Sequence, residues 1–358
     1  MTPIKIAVVD GDGISPAIIR EGKKILDVVA RYTSFQFEYL DAPAGGEVYK
    51  QVGDSLPRKS LELMEQSDAI LFGAVGLPDL PQGVAERAIL GIRQHFDQFV
   101  NLRPIKLFNS ARDTCPLKDR FIGDGIDMII CRENSEGLYA KIGGILRTDE
   151  VATNLMVYTK KGIDRIIHHA FTIARNTPGF TKVTSVDKAN ILACSQLWRS
   201  RFHEIAKKYA DIPTEDFYVD AFCQWLIRKP YKCDVVVTGN LFGDIISDEA
   251  AYLLGSLGMA PGGNINPDGI SMYEPIHGSA PDIAGKGIAN PIGTILAVKL
   301  MLAETFKEMD VAAMIEQAVE ETLDEGRTVD IQKEGLPTLS TGEMGNLIAE
   351  KLGKLLKQ

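Results

Sequence analysis

Apolar and polar positions along this chain fall into two rhythms. Short apolar runs at 4–9 (IKIAVV), 69–75 (AILFGAV), 126–131 (IDMIIC), 182–186 and 234–238 (DVVVT) read as strands buried on both faces of a sheet. Residues 35–40 alternate as one more strand. Between the runs lie amphipathic stretches at 15–32, 84–99 and 161–176, and a longer one that places Leu197, Trp198, Phe202 and Ile205 at core spacing. Ser15 is the expected N-cap of the first helix, with Pro16 in its first turn. Turn-rich loops occupy 77–83, 261–269 and 274–291, and helices close the chain from 292 to 357. Strands alternating with helices predict an α/β fold. No repeat, low-complexity tract or linker interrupts the pattern, so a domain boundary must be a crossing of the chain between lobes.

Composition narrows the function. The 358 residues carry a formal charge of −9 without long single-sign runs, which argues against nucleic acid or an anionic membrane as partner. The five cysteines are odd in number and lack C-x-x-C spacing, the usage expected of reduced thiols in a cytoplasmic protein. No apolar stretch approaches membrane length and the first strand begins at once, so the cytoplasm is the expected compartment.

The candidate chemistry sits at strand ends. After the first strand, GDGISP at 11–16 approaches a dinucleotide fingerprint but puts Pro16 where the third glycine belongs, so an ordinary Rossmann site is rejected. After the strand at 234–238, NLFGDIISD (240–248) opens a helix and places Asp244 and Asp248 four residues apart on one face. Such a pair suits a hard cation; it also suits an acid complementing the helix dipole beside a solvated one. Arg93, Arg103 and Arg132 lie at strand or helix ends, as do Tyr139 and Lys188. Each alone reads as a surface ion pair or a packed tyrosine. His95, His168, His169 and His203 show no ligand spacing.

Taken together, NLRP (101–104), RENSEGLY (132–139), the run 240–258 and the loop 274–291 resemble, in order and spacing, the β-decarboxylating dehydrogenases: the isocitrate, 3-isopropylmalate and tartrate/D-malate dehydrogenases. The resemblance extends from Ile4 to the C-terminal helices. It implies a two-lobed α/β fold with a large mixed sheet flanked by helices and a non-Rossmann NAD site. Residues 1–100 with 252–358 would form the cofactor-binding lobe, and 101–251 the smaller lobe with the dimer interface. It further implies that Arg93, Arg103 and Arg132 hold substrate carboxylates, a task that suits guanidinium forks. Asp244 and Asp248 would coordinate Mg²⁺ or Mn²⁺, with Asp220 of the other subunit as third acid; Lys188, again from the partner, and Tyr139 would be the base and acid. K⁺ is an additional candidate ion, and a homodimer with shared sites is implied.

For the cofactor, the resemblance assigns Glu274, His277, Gly278, Ser279, Ala280, Asp282, Asn290 and Asn190. NADP-using relatives place lysine and tyrosine at the positions of Asp282 and Ile283, whereas a carboxylate accepts hydrogen bonds from ribose hydroxyls and repels a 2′-phosphate, so NAD is expected. For the substrate, QHFDQFVNLRP (94–104), RENSEG (132–137) and the run 73–79 are similar to the tartrate/D-malate branch. DKAN (187–190), Ser247–Ala250 and Glu86, Ile89 and Leu90 are similar to isopropylmalate dehydrogenase. The expectation is D-malate or tartrate, with 3-isopropylmalate as the alternative; an apolar Ile89–Leu90 wall disfavours isocitrate. A non-catalytic regulatory subunit of an isocitrate dehydrogenase is the reading from another class, and the retention of Tyr139, Lys188, Asp220, Asp244 and Asp248 opposes it.

Overall fold

In chain order the strands are β1 (Ile4–Val9), β2 (Phe37–Asp41), β3 (Ala69–Phe72), β4 (Val100–Lys106), β5 (Asp127–Glu133), β6 (Gly137–Arg147), β7 (Val151–Val157), β8 (Val183–Asp187), β9 (Thr214–Tyr218), β10 (Val235–Thr238), β11 (Pro261–Ile265) and β12 (Met272–Pro275). The helices are α1 (Ser15–Tyr32), α2 (Gly46–Val52), α3 (Arg58–Glu65), α4 (Val84–His95), α5 (Asp119–Ile122), α6 (Lys160–Asn176), α7 (Ala193–Ala206), α8 (Val219–Arg228), α9 (Asn240–Tyr252), α10 (Ile292–Glu304), α11 (Met309–Leu323) and α12 (Thr341–Leu355). The computed structural model describes residues 3–147 and 150–357. The chain forms two compact units, Met1–Phe96 with Phe108–Pro116 and Ala251–Gln358, and Asp97–Leu107 with Leu117–Ala250.

The first unit orders its strands β2-β1-β3-β12-β11, parallel except for the antiparallel β11–β12 pair. The apolar run of β3 is buried throughout, as a doubly covered parallel strand requires. Helix α1 turns Ile18, Ile19, Ile25, Leu26 and Val29 inward, packing against α10 and α12. Helix α10 is apolar nearly all round and lies in the core. The return at 108–116 is tied to the C-terminal region through Arg327, which is fully buried and donates to both Asp113 oxygens at 2.9 and 2.8 Å and to the Ser110 carbonyl.

The second unit orders its five strands β4-β5-β10-β8-β9, with β4–β5 antiparallel and the rest parallel. Helix α6 covers β5 and β10. Strands β6 and β7 form a separate antiparallel ribbon that leaves Ile142, Ile145 and Leu155 exposed. The architecture is mixed α/β, as expected. No helix among the described residues is long and apolar enough to cross a membrane. All five cysteines are free, with Cys115, Cys131 and Cys233 buried.

Several details differ from the sequence pattern: Pro261–Ile265, in a stretch expected to be a turn-rich loop, is the buried strand β11 paired with β12. Ser15 does not cap α1; its hydroxyl donates to the Ala74 carbonyl at 2.9 Å, because the turn before the helix is packed against the 73–76 loop. The apolar run at 69–75 leaves the strand at Phe72, where Gly73 passes so close to Asp10 that a Cβ would lie 2.4 Å from its carbonyl oxygen. The stretch 84–99 ends its helix at His95, since Asp97 takes a positive φ of 43° and turns the chain into β4.

Candidate active site

The carboxyl end of β10 organises the second unit's site. Strand register places Asn101 and Thr238 on either side of Arg132, and α9 starts two residues after Thr238. Arg132 is 1% exposed and crosses the first turn of α9. Its Nε and Nη2 donate to Asn240 Oδ1 at 3.0 and 2.8 Å, which leaves Nη1 to donate to Asp244. This crossing explains the glycine in NLFGD: a Cβ at Gly243 would lie 2.6 Å from Arg132 Cγ. Asn240 is itself fixed, its N–H donating to the Tyr158 hydroxyl at 2.7 Å and its amide to the Glu136 carbonyl at 3.1 Å. Burial raises the Tyr158 pKa far above the usual tyrosine value.

Tyr139 donates its hydroxyl to the other Asp244 oxygen and lies with its ring 4.9 Å from the Arg132 guanidinium. Burial, and then the Asp244 carboxylate, raise the Tyr139 pKa, so the phenol holds its proton and is equipped as an acid. Arg103, on β4, donates from Nε to Asn101 Oδ1 at 2.5 Å and reaches Asp248 at 3.6 Å. Partial desolvation raises the Asp248 pKa; Arg103 opposes this and Asp244 adds to it. Two mutually repelling carboxylates with oxygen donors fit a hard divalent cation. Among the described residues no three His, Cys, Asp or Glu side chains gather as a metal-holding group. One chain therefore brings together Asp244 and Asp248, with Arg103, Arg132 and Tyr139, while Asp220 is held elsewhere.

Asp220 meets Lys188 instead, at 2.5 Å, and the ammonium holds its carboxyl below the usual range. The turn that carries Lys188 is anchored by Asp187, which is buried, accepts the Ala189 N–H at 2.7 Å and is held by Arg199 at 2.8 and 2.9 Å. Asn190 is exposed in the same turn.

The first unit holds a cavity of about 230 Å³ whose walls include Phe72, Val75, Ile89, Glu274, His277 and Gly278. Glu86 lines it one helical turn from Ile89; Leu90 is part-buried and is not among the lining residues. Arg93, 7% exposed, donates to Glu274 at 3.2 Å, and Asn264 donates to the same oxygen at 2.7 Å. His277 pairs Nδ1 with the Gly278 carbonyl at 2.8 Å, so Nδ1 carries the proton and Nε2 is an acceptor; Nε2 is buried with no partner. Burial lowers its pKa and keeps the ring neutral. A Cβ on Gly278 would meet nothing within 4 Å, and Ala280 takes a left-handed φ of 38°. Asp282 stands exposed on the short turn Pro281–Ile283. An open backbone edge, an unpaired buried acceptor and an exposed carboxylate fit a nucleotide. Two assigned residues are otherwise engaged: the Ser279 hydroxyl donates to the Gly76 carbonyl at 2.5 Å, and Asn290 accepts the Ile292 N–H at 3.0 Å while donating to Asp330 at 3.1 Å.

Sequence reasoning passed over Asn240, Tyr158, Asn264 and Arg199 as holders of functional side chains. Of these only Asn240 left a signal, by its place at the strand-to-helix junction.

The family model described as "Isocitrate/isopropylmalate dehydrogenase" matches residues 5–348. The 3-isopropylmalate dehydrogenase of Aquifex aeolicus is 44% identical, over 99% of this chain and 99% of its own. Among solved structures, isocitrate dehydrogenase from Methylococcus capsulatus superposes with a TM-score of 0.87 at 36% identity, covering 98% of this chain and 99% of that one. A β-decarboxylating dehydrogenase from Thermococcus kodakarensis, in its apo form, gives 0.80 at 34% identity, covering 99% and 98%. The chain belongs to the isocitrate/isopropylmalate dehydrogenase family. It is an NAD-linked decarboxylating oxidoreductase, and enzymes of this family act on small hydroxy acids with a divalent metal.

The expectation of D-malate or tartrate does not stand. Relatives at 42–44% identity over nearly the whole chain are named 3-isopropylmalate dehydrogenase. Two of the three segments that favoured the other branch, 94–104 and 132–137, carry Arg103 and Arg132, and a guanidinium suits any carboxylate whatever the substituent beside it.

Proposed function

We propose that the protein catalyses NAD-dependent oxidative decarboxylation of 3-isopropylmalate as a homodimer. The relatives of that name, matching end to end, carry the reading. The apolar cavity face of Phe72 and Ile89 supports it, because an isopropyl group is stabilised there and a third carboxylate is not. The exposed apolar positions of β6 and β7 support a second copy as partner.

Arg103 and Arg132 bind the carboxylates of the malate core, with Arg93 in the same role. Asp244 and Asp248, with Asp220 from a second copy, would hold Mg²⁺ or Mn²⁺, which when bound would supply Lewis acidity to the substrate. Lys188 of that copy takes the C2 hydroxyl proton; NAD, when bound, would be the acceptor of the C2 hydride. The carboxylate on C3 departs as CO₂, and the Tyr139 hydroxyl delivers a proton to C3, giving 4-methyl-2-oxopentanoate. Asp282 orients the adenosine ribose and selects NAD over NADP.

A single panel tests this: kcat/KM with NAD and Mn²⁺ for 3-isopropylmalate, D-malate, both tartrates and isocitrate. 3-Isopropylmalate is expected to lead by about tenfold or more. Isocitrate or D-malate in the lead overturns the substrate, and inactivity of a folded homodimer on all of them overturns the catalytic reading.

A further inference from the structure

The turn rejected as a dinucleotide fingerprint contains an acid that no catalytic role absorbs. Asp12 is 1% exposed, and backbone N–H groups from two distant segments converge on its carboxylate. Oδ2 accepts from Gly46 at 2.6 Å and from Gly76 at 2.7 Å, and Oδ1 accepts from Glu47 at 2.9 Å. The Asp12 N–H donates to the Ala74 carbonyl at 2.8 Å. From Gly76 the connections continue: its carbonyl accepts the Ser279 hydroxyl at 2.5 Å, and the Ser279 carbonyl accepts the Ile14 N–H at 2.8 Å. Three hydrogen bonds through Gly76 and Ser279 therefore form a ring that the chain from Asp12 to Ile14 closes. The neighbouring glycines permit it. Gly13 has a φ of +60°, and a Cβ there would lie 2.0 Å from the Ser279 carbonyl oxygen; at Gly11, with a φ of +72°, it would lie 2.5 Å from that of Ala74.

The segments joined by this ring are cavity walls. Ala74 and Val75 adjoin Gly76, His277 and Gly278 precede Ser279, and all four line the cavity. A carboxylate is the side chain that the arrangement requires, because it offers acceptors only. An asparagine in either orientation turns N–H donors toward N–H donors at one of its two positions.

We propose that Asp12 is a positioning residue for the cofactor pocket, fixing the spacing of its 74–76 and 277–279 walls through Gly76 and Ser279 without touching the cofactor. The proposal rests on the NAD reading above. It accounts for an acid and two glycines in a turn that does not itself cradle a dinucleotide.

The test compares wild type, Asp12→Asn, Ser279→Ala and the double variant. NAD affinity is measured by calorimetry, KM for 3-isopropylmalate by kinetics, and amide hydrogen exchange by mass spectrometry on segments 74–76 and 277–279. Asp12→Asn is expected to weaken NAD binding about tenfold, to change KM for the hydroxy acid less than about twofold, and to raise exchange in both segments. Ser279→Ala cuts the same ring and adds less to Asp12→Asn than to wild type. Unchanged NAD affinity, equal losses for both ligands, or full additivity overturns the proposal. Should Asp12→Asn fail to fold, Ser279→Ala alone decides it: raised exchange at 74–76 supports the ring and unchanged exchange overturns it. If wild type does not bind NAD, the dehydrogenase reading falls, and exchange alone decides whether Asp12 spaces the walls.

Discussion

In the second unit the functional side chains are held by opposite charge. Arg132 lies on Asp244, Arg103 is 3.6 Å from Asp248, and Lys188 is 2.5 Å from Asp220. In the first unit the cavity walls are held by backbone N–H and carbonyl groups, organised around one buried carboxylate and closely approaching glycines. The difference follows what each region handles. Charge pairs are interchangeable: in the proposed reaction an anionic substrate would replace the aspartates on Arg103 and Arg132, and a cation would replace the arginines on Asp244 and Asp248. Backbone hydrogen bonds are not exchanged on binding, so they set a fixed shape for a ligand recognised along its length. Substitutions in the charged region should therefore alter chemistry more than fold, and those near the cavity should alter affinity and selectivity.

The strongest way to break this contrast is Asp244→Asn, which keeps shape and removes charge. It is expected to lower kcat by about 10²–10³-fold while the thermal midpoint moves little, because Arg132 keeps both bonds to Asn240. Steady-state kinetics beside a melting curve check it; unchanged kcat would remove Asp244 from the catalytic region. Ile89→Ala sharpens the other side. It should lower kcat/KM for 3-isopropylmalate by roughly 10- to 100-fold and leave D-malate turnover nearly unchanged. Equal losses on both acids would mean that Ile89 supports the fold of α4 and does not select the substrate.

The smallest effect concerns a charge pair outside both regions. Arg327 holds the Asp113 carboxyl below its ordinary value of 3.8. A depressed folded-state pKa adds stability that is present above 3.8 and is lost as pH falls through the lower folded value. Asp113 is 44% exposed, which weakens the pair, but its removal leaves a buried guanidinium short of acceptors. Asp113→Asn should cost about 1–2 kcal/mol at neutral pH. Denaturant melts of both proteins from pH 7 to pH 2 should show the gap closing below pH 3.8; a constant gap would refute the linkage.

Much of this molecule was legible in its residues. Uninterrupted apolar runs announced doubly covered strands, and the acids and arginines at strand ends, taken with the family resemblance, announced a decarboxylating dehydrogenase. The substrate was misread because the motifs around Arg103 and Arg132 outweighed the Glu86, Ile89 and Leu90 trio, although a guanidinium suits any carboxylate whatever group stands beside it. Element ends were misplaced at Gly73 and Asp97, and Ser15 starts its helix without capping it because its hydroxyl is engaged by the distant Ala74 carbonyl.

The sequence by itself determined the long amphipathic helices and the uninterrupted apolar strands, and which residue types are available for chemistry, because hydrophobic period and side-chain chemistry act locally. Only the tertiary structure decided that Asn240 grips Arg132, that Gly243 lets it pass, that Asp220 rests on Lys188 and not beside Asp244, and that Asp12 closes a ring with Ser279. Those relations join residues far apart in the chain, 112 positions for Arg132 and Asp244 and 203 for Gly76 and Ser279. They depend on how strands are ordered and how closely backbones approach, and no local pattern encodes either.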